Sequence, residues 1–232
     1  MSHAVIVAHG QPSDPEPAEA ALAAFAAKVD ALTGTVSVHS ATLAAPGALE
    51  AMLNNVPENS VIYPLFMAKG WFVTSALPKR IGDHAIRILD PLGIDPELPT
   101  LTARALQEKL SEQKWAAQST DLVIAAHGSG RSRNPSVVTK EFAVQLGKQV
   151  AFRSVRVGFV EEQPAIAEAA LGASDQALCL PFFACNGGHV LEDVPEELDR
   201  ANFAGVVMPV VGELVPIRCQ IAKKVTEAFE SA

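Results

Sequence analysis

Cysteine is scarce in this chain: Cys179, Cys185 and Cys219 are odd in number, and no pair has CxxC spacing. A disulfide framework and a cysteine-ligated iron–sulfur cluster therefore do not fit, and reduced, mostly buried thiols of a cytoplasmic protein are expected. Long apolar runs are missing as well, since Pro and Gly break each one before it could span a bilayer. The opening residues, MSHAVIVAHG, lack the basic region of a signal peptide and pass straight into a strand pattern. Basic residues are outnumbered, 18 Lys and Arg against 26 Asp and Glu, for a formal net charge of -8. Such a surface disfavours nucleic acid and anionic membranes, while leaving room for a local basic pocket that takes an acidic small molecule.

Apolar material is plentiful. With 49% hydrophobic and 19% charged residues the chain can fill a core, and compositional disorder is excluded. Its 232 residues suit one large domain or two small ones. Strands are expected at residues 4–8, 36–42, 60–66 and 86–89, with helices at 18–32, 46–54 and 98–113. A polar linker at 116–120 follows. The second half repeats the order, with strands at 122–126, 153–160, 177–183 and 205–209, and helices at 136–149, after Pro164 and at 215–229. Alternating strands and helices imply parallel sheets with right-handed crossovers.

The repeat is visible in the residues. The phrase AVIVAHGQP around His9 returns as VIAAHGSGR around His127, 118 residues later, and prolines and glycines further on recur at nearly the same offset. A period that long indicates a duplicated domain. The expected fold is α/β, with two similar lobes, 1–118 and 119–232, each a small parallel sheet flanked by helices, facing each other across a cleft. The Ala-rich first helix can pack on its own sheet or on another subunit, and the oligomeric state stays open.

The copies differ where chemistry would be done. His127, Glu161 or Glu162, and His189 follow three different strands of the second half, at the sheet edge where parallel α/β folds bind ligands. In the first half only His9 is kept: Phe72 aligns with His189, Leu43 with Glu161 and Ala44 with Glu162. Two imidazoles and a carboxylate make a first shell for a divalent metal, and they can equally accept protons. Arg131 and Arg133, beside Ser129, Asn134 and the amides of the glycine-containing turn, can clamp carboxylates. Lys69, Lys79 and Arg80 are candidates for the same task in the first half. Gly187 and Gly188 permit close approach of a flat ligand or a positive φ, and Trp71 with Phe72 can form an apolar wall.

In VIAAHGSGRSRN, GFVEEQPAI and LPFFACNGGHVLEDVPEEL the chain resembles the sirohydrochlorin chelatase family, the CbiX type of class II tetrapyrrole chelatases, in a fused two-lobe form. The resemblance implies ATP-independent insertion of cobalt or iron into sirohydrochlorin, on the branches toward cobalamin or siroheme. The divalent metal is a substrate, and no organic cofactor is implied. His127, Glu161 and His189 would hold the ion and help remove the pyrrole protons. The first lobe departs from the pattern at GQP and at Phe72, which leaves it a degenerate copy. A noncatalytic tetrapyrrole or metal carrier is the competing expectation.

Overall fold

The computed structural model describes residues 2–130 and 134–230. Its chain order is β1 (Ser2–Ala8), α1 (Pro15–Thr33), β2 (Val36–Thr42), α2 (Ala48–Asn55) and β3 (Val61–Pro64), then a π-helical turn (Phe72–Ala76) running into α3 (Leu77–Ile81), β4 (Arg87–Ile88) and α4 (Leu98–Gln113). The second round runs β5 (Asp121–Ala126), α5 (Asn134–Gly147), β6 (Ser154–Phe159), α6 (Ile166–Ala170) and β7 (Ala177–Phe182), then a second π-helical turn (His189–Asp193), α7 (Val194–Arg200), β8 (Val206–Val207) and α8 (Val215–Glu230).

Two four-stranded sheets result, ordered β2-β1-β3-β4 and β6-β5-β7-β8, and every pairing is parallel. Helices cover both faces of such a sheet, so its central strands read as unbroken apolar runs. All six residues of β5 and all six of β7 are buried accordingly. In each sheet the chain steps from the second strand in order to the first, then back past it to the third. The point where that direction reverses lies between β1 and β3, and between β5 and β7.

The helices form by ordinary rules. A proline in the first turn of α1 costs no intrahelical hydrogen bond. Leu22, Phe25, Ala26 and Val29 then recur at helical spacing and are buried, and α1 packs on β2 of its own chain. The helix stops at Gly34, whose φ of 68° is left-handed.

The packing units do not follow the repeat boundary at residue 118. One compact unit comprises Met1–Asp95 with Ile217–Ala232, and the other is Pro96–Pro216. Each unit thus takes the helix that ends the other repeat: α8 joins the first and α4 the second. The side chains show why. In the first unit, Gln220 of α8 donates to the Asp95 carboxylate at 2.9 Å, and the Arg87 guanidinium donates to the Ala228 carbonyl. In the second, α4 lies against α5 and buries Leu98, Leu106 and Leu110. The stretch expected as a linker includes a 3-10 turn, Ala117–Ser119, and belongs to the second unit, where the carbonyls of Ala117 and Thr120 accept from the Arg153 amide.

At the amino-terminal edge of the second sheet, the buried Asp121 carboxylate ties β5 to the start of β6 and to the loop before β7. It accepts from Arg153 Nε at 2.9 Å and from a second guanidinium nitrogen, from the Ser154 hydroxyl at 2.7 Å, and from the Ser174 amide at 3.0 Å. Arg153 foremost, with those two donors, holds the carboxyl far below the usual carboxylate range. Ligand chemistry belongs at the opposite edge.

Candidate metal centre

His127 is the first residue beyond β5, Glu161 the second beyond β6, and His189 opens the π-helical turn after β7. The parallel ladder carries on past the named strands, with the Val160 amide bonded to the Ala126 carbonyl at 3.0 Å and the Glu161 amide to the His127 carbonyl at 2.9 Å. That extension sets Glu161 beside His127. One potential ligand atom from each of His127, Glu161 and His189 lies within 4.8 Å of the others, and this is the one such group of three among the described residues. The imidazoles meet edge to face with centroids 4.4 Å apart, and His127 Nδ1 is 3.8 Å from Glu161 Oε2. Each of the three side chains is a little under half exposed, so the cluster is open to solvent.

Both imidazoles have a fixed orientation. His127 Nδ1 lies 3.0 Å from the Gly128 carbonyl, and His189 Nδ1 lies 2.6 Å from Oδ2 of Asp193. A carbonyl or an ionised carboxylate only accepts, so each Nδ1 carries the hydrogen and each neutral ring keeps its lone pair on Nε2. Asp193 was not singled out from the sequence. The i,i+4 spacing from His189, at the start of a helical stretch, is the signal that marks it.

The turn after His127 separates the two glutamates. Gly128 has a φ of 69°, and a Cβ there would come within 2.8 Å of Cγ and Oε1 of Glu162. Glu162 Oε1 also accepts from the Ser129 amide at 3.3 Å. Glu162 therefore braces the turn, while Glu161 meets the histidines.

Unit one holds the same frame with only the first of the three candidate ligands, His9. His9 Nδ1 donates to the Gly10 carbonyl at 2.7 Å, Gly10 has a φ of 75°, and His9 meets Phe72 edge to face at 4.4 Å. The Ala44 amide bonds to the His9 carbonyl at 2.9 Å. This ladder corrects the expected alignment: the counterpart of Glu161 is Ala44, not Leu43, because the second copy carries one additional residue between Glu161 and Pro164. Phe66, Trp71 and Phe72 form a chain of ring contacts, and Trp71 is 67% exposed.

The other expected residues divide. Arg131 and Arg133 lie outside the described residues. Ser129 is half-buried in the turn and Asn134 begins α5 on the exposed side. Gly187 has no atom within 4 Å of the position a Cβ would take, and Gly188 is helical with a φ of -50°, so neither supplies a positive φ. Arg80 is engaged, forming two hydrogen bonds of 2.7 Å to Glu50 and one to the Leu43 carbonyl, and Lys69 pairs with Asp90 at 2.6 Å. Lys79 is exposed.

Two copies of a doubly wound parallel α/β unit, one with a His–Glu–His cluster at its switch point, define the class. The chain belongs to the CbiX family: the family model matches residues 3–109 and again 121–227. A solved structure of CbiX, the terminal enzyme for biosynthesis of siroheme in denitrifying bacteria, is 42% identical, covers 99% of each chain and has a TM-score of 0.85. SirB from Bacillus subtilis with Fe3+ shares the fold, with a TM-score of 0.74 at 16% identity over 98% of this chain and 96% of that one. A probable sirohydrochlorin cobaltochelatase from Halobacterium salinarum is 23% identical over 163 residues, 59% of this chain. The match spans little more than half, 56%, of that relative's own length.

Proposed function

We propose that this protein is a metal chelatase that inserts a divalent ion, cobalt or iron, into sirohydrochlorin without ATP. The observation that carries the reading is the His127–Glu161–His189 cluster, with donor atoms within 4.8 Å of one another in one copy of a duplicated fold. Family membership supports the same reading, as do relatives described as an enzyme of siroheme biosynthesis and as a cobaltochelatase.

The chemistry follows from the donors. Insertion exchanges two pyrrole N–H protons for one divalent ion, so the site must hold an ion that still has open coordination positions and must accept protons nearby. Two neutral imidazoles through Nε2 and one carboxylate supply three ligands, which leaves room for water and then for the macrocycle nitrogens. Half-exposed ligands release the ion readily into a stronger macrocyclic ligand. As the ion leaves, Glu161 and the imidazoles become free to take up the departing protons.

Ser129, Asn134, Arg131, Arg133, Gly187 and Gly188 serve to bind the carboxylate-bearing macrocycle. The three cysteines are free, with Cys179 buried, Cys185 half-buried and Cys219 exposed, and unpaired thiols fit a reducing, cytoplasmic setting.

His127→Ala and His189→Ala test the assignment. Each is expected to lower the rate of cobalt insertion at least about 100-fold, as loss of a positioned proton acceptor or ligand does, with an unchanged circular dichroism spectrum. Near-normal turnover by either folded variant would overturn it.

A further inference from the structure

We infer that Asp193 is a positioning residue for His189, turning the ring's Nε2 lone pair toward the incoming ion and strengthening it as a ligand; the inference rests on the chelatase reading above. Three observations lead to it. First, the contact is short and specific: His189 Nδ1 and Asp193 Oδ2 are 2.6 Å apart, with both side chains under half exposed. Second, it is built by an uncommon backbone. Residues His189–Asp193 form a π-helical turn closed by the Val194 amide on the His189 carbonyl, five residues back. Single π-helical turns are rare and collect at functional sites.

Third, the two copies differ here in a paired way. Unit one keeps the π-helical turn, Phe72–Ala76, closed by the Leu77 amide on the Phe72 carbonyl. Its first residue is Phe72 in place of His189, and its last is Ala76 in place of Asp193. A carboxylate needed only to shape the turn would have been retained with the turn. Here the histidine and the carboxylate are absent together while the backbone persists, so Asp193 belongs with the imidazole rather than with the fold.

The two histidines consequently differ as ligands. His127 donates Nδ1–H to a neutral carbonyl, and His189 donates to an anion. A carboxylate partner fixes the tautomer and raises imidazole basicity, and removing such a partner costs about 10–100-fold in metal affinity. The ion is therefore held unequally, more strongly by His189.

The test is an anaerobic titration of the full-length protein with Co2+ alone, followed by its visible d–d absorbance. Wild type, Asp193→Ala, Asp193→Asn and His189→Ala are compared, with circular dichroism and melting temperature confirming the fold of each. Asp193→Ala is expected to bind Co2+ about 10–100-fold more weakly with an altered d–d band. Asp193→Asn keeps an acceptor oxygen without the charge and is expected to fall between Asp193→Ala and wild type. If folded Asp193→Ala matches wild type in affinity and band shape while His189→Ala loses Co2+, the positioning role is wrong and the chelatase reading stands. If wild type binds no Co2+, or binds it unchanged after His189→Ala, both are overturned.

Discussion

Gly128 and Glu162 together shape the turn that follows His127, whose Nδ1 faces the Gly128 carbonyl. A left-handed φ strains any side chain at Gly128, and a Cβ there would displace the Glu162 side chain. Gly128→Ala is expected to cost about 1–3 kcal/mol through the strained φ, before any repacking of Glu162, read from urea denaturation midpoints. The two neighbouring glutamates should separate sharply in kinetics. Glu161→Gln removes a carboxylate that meets both histidines and is expected to slow insertion about 100-fold or more. Glu162→Gln keeps an oxygen to accept from the Ser129 amide and should retain most of the activity. Equal losses in the two variants would contradict the division of labour between them.

Among the elements, the central strands β1, β3, β5 and β7 are the most legible from sequence, because a strand buried on both faces is a short apolar run. The site was legible for the same reason: once β5, β6 and β7 are located, the residues just beyond them fall on one edge. What escaped has physical causes. A π-helical turn has no sequence period of its own over five residues, so neither Phe72–Ala76 nor His189–Asp193 was foreseen, and the partner of His189 went with it. The prolines place the counterpart of Glu161 one residue off, because the additional residue of the second copy lies between the glutamate and the proline. The choice between Glu161 and Glu162 depends on the turn at Gly128, where space matters more than residue type.

The same elements make a prediction about acid stability. The Asp121 carboxylate joins β5, β6 and the loop before β7, and it is held below its ordinary titration range by Arg153 above all. A folded-state value below the unfolded one means that its stabilisation is present above the unfolded value, about 3.9, and is lost as pH falls through the folded value. Asp121→Asn should therefore cost about 2 kcal/mol at pH 7, in the range of hydrogen bonds to charged groups. The gap to wild type should narrow steadily below about pH 4. A gap independent of pH in chemical denaturation would argue against a charged role.

For the whole molecule, repeat and packing unit diverge. The sequence divides near residue 118, where the two copies meet, yet contacts divide at 95 and 216. Helix exchange of this kind cannot be read from periodicity, since α4 and α8 present similar apolar stripes and only three-dimensional neighbours distinguish their hosts. A chain of residues 96–216 should melt cooperatively, because it keeps α4 with buried Leu98, Leu106 and Leu110. A chain of residues 119–232 lacks α4 and carries α8 without the side chains it packs on, and it should melt broadly or remain unfolded. The reverse result would return the boundary to the repeat.

Among the described residues the cluster of metal-ligand type occurs in one copy alone: the other has Phe72, Ala44 and Ala76 at the positions of His189, Glu161 and Asp193. The central claim is tested most directly by an anaerobic absorbance time course of sirohydrochlorin with Co2+ or Fe2+, with and without catalytic amounts of the protein. The account predicts conversion of many equivalents of macrocycle per chain at a rate well above the uncatalysed control. Tight binding of sirohydrochlorin with no acceleration over that control would contradict it and make the protein a carrier.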